Sequence, residues 1–96
     1  MKYDIPAALE AEIIGLAQKN NILKIILFGS RAKGNNTERS DIDLAVSGGS
    51  IDNFTFQLEN DADTLLMFDI VDLDKPITDE LSNEIKKYGV TIYEKI

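Results

Sequence analysis

The sequence predicts an α/β protein in which a small mixed β-sheet is flanked by helices. Short apolar runs typical of buried strands alternate along the chain with segments whose apolar residues recur at helical spacing. The chain has 96 residues, the size of one domain with a single modest core. We therefore expect residues 1–96 to form a single domain.

The first helix is predicted to begin near Pro6, because proline is common in the first turn of a helix. Apolar residues follow it at helical spacing, namely Leu9, Ile13, Leu16 and Ala17. The polar segment 18–21 is expected to end this helix. The amphipathic pattern predicts that the helix packs against the sheet.

The first two strands are predicted over 22–28 and 40–47. The earlier one is apolar on both faces apart from Lys24, which is typical of a strand covered on both sides. Turn residues at 34–36 precede the later strand, and two glycines at 48–49 end it. The strand over 22–28 is therefore expected near the centre of the sheet.

The segment 50–63 permits two interpretations. A helix is predicted by the spacing of three apolar residues, Ile51, Phe54 and Leu58. The alternation in 54–56 would also suit a strand, although the helix is preferred.

The C-terminal part is predicted to contain a third strand, a helix and a fourth strand. The third strand covers 65–73 and the fourth covers 90–93. Thr78 can cap the helix between them, and Gly89 is a natural stop.

Composition excludes several kinds of site and partner. With 17 acidic and 10 basic residues, the net charge of −7 argues against a nucleic-acid backbone as partner. The absence of cysteine and histidine excludes thiolate and imidazole ligands and histidine acid–base chemistry. No apolar run approaches membrane-spanning length, and the N-terminus lacks a signal-peptide pattern, so a cytoplasmic location is expected.

Two carboxylates lie two residues apart on the second predicted strand. Side chains of a strand alternate between its faces, so Asp41 and Asp43 point the same way. The apolar residues between and after them point into a core. Ala45 and Ser47 share the acidic face and, being small, are expected to leave room for a ligand.

A glycine turn leads from the first strand towards these carboxylates. Gly29 permits a positive φ, and the segment from Ser30 to Lys33 is predicted to begin a short helix whose free N–H groups face a phosphate. Arg31 and Lys33 would supply positive charge, with Arg39 as a further candidate. Such a turn beside paired carboxylates suits a magnesium–phosphate site.

A third carboxylate, Asp69, lies within the third predicted strand, which reads as apolar on both faces. A buried unpaired charge is costly, so a metal ion, a basic side chain or a raised pKa should neutralise it. If this strand lies beside that of Asp43, the two carboxylates belong to one cluster. Asp72 faces the other way and Asp74 lies beyond the apolar run, which makes both weaker alternatives.

Taken together, these residues resemble a known signature. Gly29-Ser30, ten intervening residues and Asp41-Ile42-Asp43 resemble the motif of the DNA polymerase β-type nucleotidyltransferase superfamily. The short form, Gly-Ser-Arg-Ala-Lys-Gly followed by Ser-Asp-Ile-Asp-Leu, is similar to that of the minimal nucleotidyltransferases, which are often antitoxins encoded beside a HEPN-domain toxin. The resemblance implies a polymerase β palm-like fold and one minimal nucleotidyltransferase domain.

The resemblance also implies a chemistry for each residue. Asp41 and Asp43 would hold two Mg²⁺ ions, with Asp43 bridging them, and Asp69 would hold the catalytic metal and help to deprotonate an acceptor hydroxyl. Gly29 and Ser30 would bind the terminal phosphates of the donor, which is expected to be ATP. The implied acceptor is a tyrosine of a HEPN-type toxin, so the protein would act as an antitoxin.

Other interpretations remain open at this point. The protein could be a binding module that neutralises a partner by forming a complex, with a vestigial nucleotide site. A small-molecule nucleotidyltransferase of the aminoglycoside-modifying type is a third possibility, although such relatives normally carry an additional helical domain. A DNA polymerase is disfavoured by the acidity of the chain. The nucleotide preference and the oligomeric state are left open.

Overall fold

The structure, a computed structural model, describes residues 3–96, so residues 1 and 2 of the predicted domain lie outside it. The helices within this range are α1 (Ala7–Lys19), α2 (Ser30–Lys33), α3 (Ile51–Asp61) and α4 (Asp79–Tyr88). The strands are β1 (Lys24–Phe28), β2 (Ile42–Ser47), β3 (Phe68–Asp72) and β4 (Val90–Glu94). None of the helices in residues 3–96 has the length and apolar character needed to cross a membrane.

The strands form one mixed sheet in the order β3-β2-β1-β4. β1 pairs antiparallel with both β2 and β4, whereas β2 and β3 run parallel. Parallel neighbours need a crossover connection, and α3 supplies it. The α/β class, the mixed sheet and the central place of β1 are thereby confirmed.

One face of the sheet is closed by α1 and α3. Both helices insert an apolar stripe into the core, as the helical spacing predicted. The stripes consist of Leu9, Ile13 and Ala17 from α1 and of Ile51, Phe54 and Leu58 from α3. These residues pack on the inward side chains of β1 and β2, which are Ile25, Leu27, Ile42, Leu44 and Val46. The segment 50–63 is thus a helix, and the alternative of a strand over 54–56 is wrong.

The other face is covered by Leu73 and Ile77 of the segment before α4 and by α4 itself. Ile85 of this helix packs on Phe28 and Ala45 in a smaller apolar cluster. Ala45 is fully buried there, so the expectation that it leaves room for a ligand is wrong. The Thr78 hydroxyl caps α4 by accepting a hydrogen bond of 3.1 Å from the Leu81 N–H, as predicted.

The third strand is shorter than predicted and lies at an edge of the sheet. It covers the five residues Phe68–Asp72 rather than 65–73, and two of the three residues before it are largely exposed. Leu65 is fully exposed and Met67 is 69% exposed. Asp69 is exposed too, so the prediction that it lies in a strand apolar on both faces is wrong.

Candidate active site

The acidic residues of β2 and β3 meet where these parallel strands begin. The strand register pairs Asp43 directly with Asp69, so the sheet itself places the two carboxylates side by side. Partial burial and the negative charges of Asp69 and Asp41 raise the pKa of Asp43 to about 6. A hydrogen bond with the Asp69 side chain and the charge of Glu84 on α4 contribute in the same direction.

Asp72 lies elsewhere, at the far end of β3. It is paired with Val46 in the register, and its carboxylate is 4.0 Å from Lys75 Nζ and accepts a hydrogen bond of 2.8 Å from the Asp74 N–H. The structure therefore brings Asp69, and neither Asp72 nor Asp74, next to Asp43.

Gly29 is required where β1 turns towards the acidic pair. Its φ is +73°, a conformation that residues with a Cβ rarely adopt. A Cβ at this position would also collide with the carboxylate of Asp43. The glycine thus serves two purposes, because it makes the turn and lets the backbone approach the carboxylate.

The turn exposes backbone donors near the carboxylates. The N–H groups of Ala32 and Lys33 both donate to the Gly29 carbonyl at 3.2 Å. The N–H groups of Ser30 and Arg31, the two preceding residues, donate to no acceptor among residues 3–96. Ser30 is partly exposed, so its hydroxyl and its N–H are available to an anionic group.

Arg31 does not have the position expected of a phosphate ligand. Its side chain is 2% exposed. Its guanidinium donates to the main-chain oxygens of Asp4 at 2.9 Å and of Glu38 and Ser40 at 3.0 Å each. The side chain therefore fastens the loop before β2 to the N-terminal segment, and its predicted contact with phosphate is not supported.

Lys33 is held by α4. Its Nζ lies 3.1 Å from a carboxylate oxygen of Glu84 and 4.6 Å from the centre of the Tyr88 ring. Sequence reasoning missed Glu84, because no spacing rule connects it with the glycine turn. Arg39, the further candidate, is exposed. Its backbone N–H donates a hydrogen bond to the Thr37 hydroxyl, and its guanidinium has no hydrogen-bond partner among residues 3–96.

The donor set fits a hard divalent cation. Two adjacent carboxylates, one with a raised pKa, repel each other, and a cation between them would relieve that repulsion. Within residues 3–96, however, no three acidic side chains are gathered as a ready-made metal cluster. This agrees with Mg²⁺, which commonly uses one or two carboxylates together with substrate phosphates and waters. Asp41 is exposed beside the pair and could turn towards the ion.

Comparison with known proteins identifies the fold and the family. Residues 11–96 match the family model described as polymerase beta, nucleotidyltransferase. The chain belongs to this nucleotidyltransferase family. The match covers α2, the acidic pair and α4, so all the site residues described above lie within the nucleotidyltransferase domain. No functionally curated protein matches the chain.

Several solved structures share the nucleotidyltransferase fold of this chain. A mutant toxin–antitoxin complex, MntA–HpeT, is similar with a TM-score of 0.70 and 26% identity, over 90% of this chain and 73% of that one. A toxin–antitoxin with AMP-PNP has a TM-score of 0.65 and 27% identity, over the same shares. A second MntA–HpeT mutant has a TM-score of 0.68 and 29% identity, over 90% of this chain and 72% of that one. The chain is thus a nucleotidyltransferase by family, and its fold is similar to that of these toxin–antitoxin structures.

Proposed function

We propose that the protein transfers AMP from ATP to a hydroxyl group in a Mg²⁺-dependent reaction, and that it acts as an antitoxin in the cytoplasm. The observation that carries this proposal is the pairing of Asp43 with Asp69 beside the open backbone donors of the glycine turn. Carboxylates for a cation and N–H groups for phosphates are the two requirements of phosphoryl-group chemistry.

Each residue has a definite task in this proposal. Asp43 and Asp69, joined by Asp41, hold Mg²⁺, which when bound neutralises charge on the triphosphate and on the transition state. Ser30, through its hydroxyl and N–H, binds the terminal phosphates. Asp69 accepts the proton of the acceptor hydroxyl while the oxygen of that hydroxyl forms a bond to the α-phosphorus of ATP. The bond from that phosphorus to the bridging oxygen breaks, and pyrophosphate leaves.

Features of similar proteins support the choice of acceptor. One neighbour is a toxin–antitoxin with AMP-PNP, an ATP analogue. One MntA–HpeT mutant carries two aspartate-to-glutamate changes two positions apart, the spacing of Asp41 and Asp43 here, and the other carries a tyrosine-to-alanine change. We extend these features to this chain and propose a tyrosine of a HEPN-type toxin as the acceptor.

The test is label transfer to a co-expressed HEPN-type protein. The HEPN-type protein is mixed with the purified chain, Mg²⁺ and ATP labelled at the α-phosphate. ATP labelled at the γ-phosphate is the matched control. We expect label on the partner from the α-position only, at a tyrosine located by mass spectrometry. Asp41→Asn/Asp43→Asn should abolish transfer while circular dichroism remains native. Equal transfer by this variant would refute the metal assignment.

A second function is favoured by one observation, namely that the Lys33 ammonium is already paired with the Glu84 carboxylate. The protein could then neutralise its partner by complex formation alone. The same variant decides between the two, because a binding module with Asp41→Asn/Asp43→Asn would still suppress the toxin in cells, whereas a transferase would not.

A further inference from the structure

The open edge of β3 offers unpaired backbone groups. The Ile42 N–H donates to the Met67 carbonyl and the Leu73 N–H donates to the Val46 carbonyl, each at 2.9 Å. Because alternate residues of a strand bond to the same side, Phe68 and Ile70 turn their N–H and C=O groups away from β2. Within residues 3–96 no strand or loop pairs with them. Such an edge is a template for another strand.

Large apolar side chains are exposed along the same edge. Phe56 on α3 is 66% exposed, Met67 is 69% exposed, and Leu65 is fully exposed. Two shallow cavities of about 310 and 140 Å³ lie between α3 and β3. Glu59 lines both cavities, and we call the two together the α3–β3 groove. Exposed apolar side chains beside an unpaired strand edge are typical of an interaction surface.

The rim of the α3–β3 groove is strongly acidic. Asp52, Glu59 and Asp72 line it, and Lys75 is the one basic side chain among the lining residues. Lys75 in turn lies 4.0 Å from Asp72, so its charge is partly compensated. A segment that carries lysine or arginine between apolar residues would therefore match the groove in both charge and polarity.

We propose that the α3–β3 groove docks an extended, basic and apolar segment of a partner protein, which adds to β3 as a further strand. Main-chain hydrogen bonds to Phe68 and Ile70 would fix the segment, and its apolar side chains would cover Phe56 and Met67. A second copy of this chain is disfavoured as occupant, because the net charge of −7 would bring two acidic surfaces together.

The location of the groove relates it to the catalytic cluster. β3 begins beside Asp69, which is paired with Asp43. Neighbouring strands lie about 4.8 Å apart, so a strand added to β3 would run next to the proposed metal site. A docked partner could thereby present a hydroxyl to that site. The docking itself does not depend on nucleotide transfer, so the two proposals can fail separately.

The test is binding of short synthetic peptides to the ¹⁵N-labelled full chain, followed by amide NMR. The probe alternates valine and lysine. One control peptide alternates valine and glutamate, and another has the probe sequence with alternate backbone nitrogens methylated, which keeps its charge but prevents strand pairing. We expect the probe to shift the amides of Phe68 and Ile70, and both control peptides to leave them unchanged.

Variants of exposed residues complete the experiment. Phe56→Lys and Met67→Lys should each weaken binding of the probe about tenfold or more, whereas Ile96→Lys, at an exposed apolar position of the C-terminus, should not. The proposal is overturned by equal binding of the methylated peptide or by amide shifts confined to other surfaces. It is likewise overturned by no binding up to about 1 mM peptide, or by self-association through β3 without peptide.

Discussion

The two faces of the sheet are covered to different extents, and the difference separates stability from chemistry. Towards α1 and α3 the sheet is closed by fully buried apolar side chains from both helices. Towards α4 the apolar cluster is small. Its buried residue on β2 is Ala45, which lies two residues after Asp43 on the same face of the strand. The closed face thus provides the burial that stabilises the chain, while the start of β2 and β3 is left free for charged groups.

The largest expected effect tests the closed face, through a buried and an exposed phenylalanine of α3. Phe54 is fully buried in the closed face, whereas Phe56 is 66% exposed. We expect Phe54→Ala to lower the free energy of unfolding by about 3–5 kcal/mol, because it leaves a cavity in the core. Phe56→Ala should change it by less than about 0.5 kcal/mol. Urea unfolding of both variants provides the check, and equal losses would contradict the described packing.

The next effect concerns the two basic residues of the glycine turn. Arg31 is buried and donates to four main-chain oxygens, so Arg31→Met should cost about 2–4 kcal/mol and leave those oxygens without their donors. Arg31→Lys should not restore stability, because an ammonium cannot reproduce the fork of donors.

Lys33 provides the matched control for this effect. It is partly exposed and bonded to Glu84 at the surface, so Lys33→Met should cost no more than about 1 kcal/mol. Thermal unfolding of the three variants tests the contrast, and a loss at Lys33 equal to that at Arg31 would contradict it.

A smaller effect is expected at the turn itself. Gly29→Ala introduces a Cβ at a φ of +73° and against the Asp43 carboxylate, so we expect a loss of about 1–3 kcal/mol. Gly15 is a matched control, because nothing lies within 4 Å of a Cβ built on it and it lies within α1. Gly15→Ala should stabilise the protein by roughly 0.5–1 kcal/mol. Denaturation midpoints of the two variants should therefore move in opposite directions.

The smallest effect is the pH dependence that Asp43 imparts to the metal-free protein. Its pKa rises from an ordinary value of 3.8 to about 6 on folding, so the folded state binds the proton more tightly. Stability should therefore fall as pH rises from about 4 to about 6, and the loss is complete above that range. Asp43→Asn should be more stable than the natural chain at pH 7, by on the order of 1 kcal/mol after allowance for solvent screening.

The check is thermal unfolding in a chelator between pH 4 and pH 7. The advantage of Asp43→Asn should shrink towards pH 4, where Asp43 is protonated in the folded state and only partly ionised in the unfolded state, and saturating Mg²⁺ should reduce it at pH 7. If Asp43→Asn were more stable than the natural chain by the same amount at every pH, the raised pKa of Asp43 would not be the cause of its greater stability.

The elements of the fold could be predicted because each has a local signal. Apolar spacing indicated α1 and α3, Thr78 indicated the start of α4, and the apolar run indicated β1. Whether the strand of Asp69 lies beside that of Asp43 was left open by the sequence, and the structure shows that it does. The strand of Asp69 is short and at the edge of the sheet, so Asp69 is exposed, and the pairing comes from the parallel register.

The remaining features depend on contacts between distant segments. Arg31 binds the main-chain oxygens of the loop because residues 37–40 pack over its side chain. No local sequence pattern predicts that packing. The contact of Lys33 with Glu84 depends in the same way on where α4 crosses the sheet. Basic residues in a loop near a phosphate motif therefore cannot be assigned from spacing alone.

The measurement that tests the central claim most directly is Mg²⁺-dependent binding of ATP by titration calorimetry. It compares the natural chain with Asp43→Asn and with Asp72→Asn, which lies at the far end of β3 and serves as the control. We predict that the natural chain and Asp72→Asn bind MgATP alike, and that Asp43→Asn loses about tenfold or more in affinity. Equal affinity of all three proteins, or a loss confined to Asp72→Asn, would contradict a metal–nucleotide site at the start of β2 and β3.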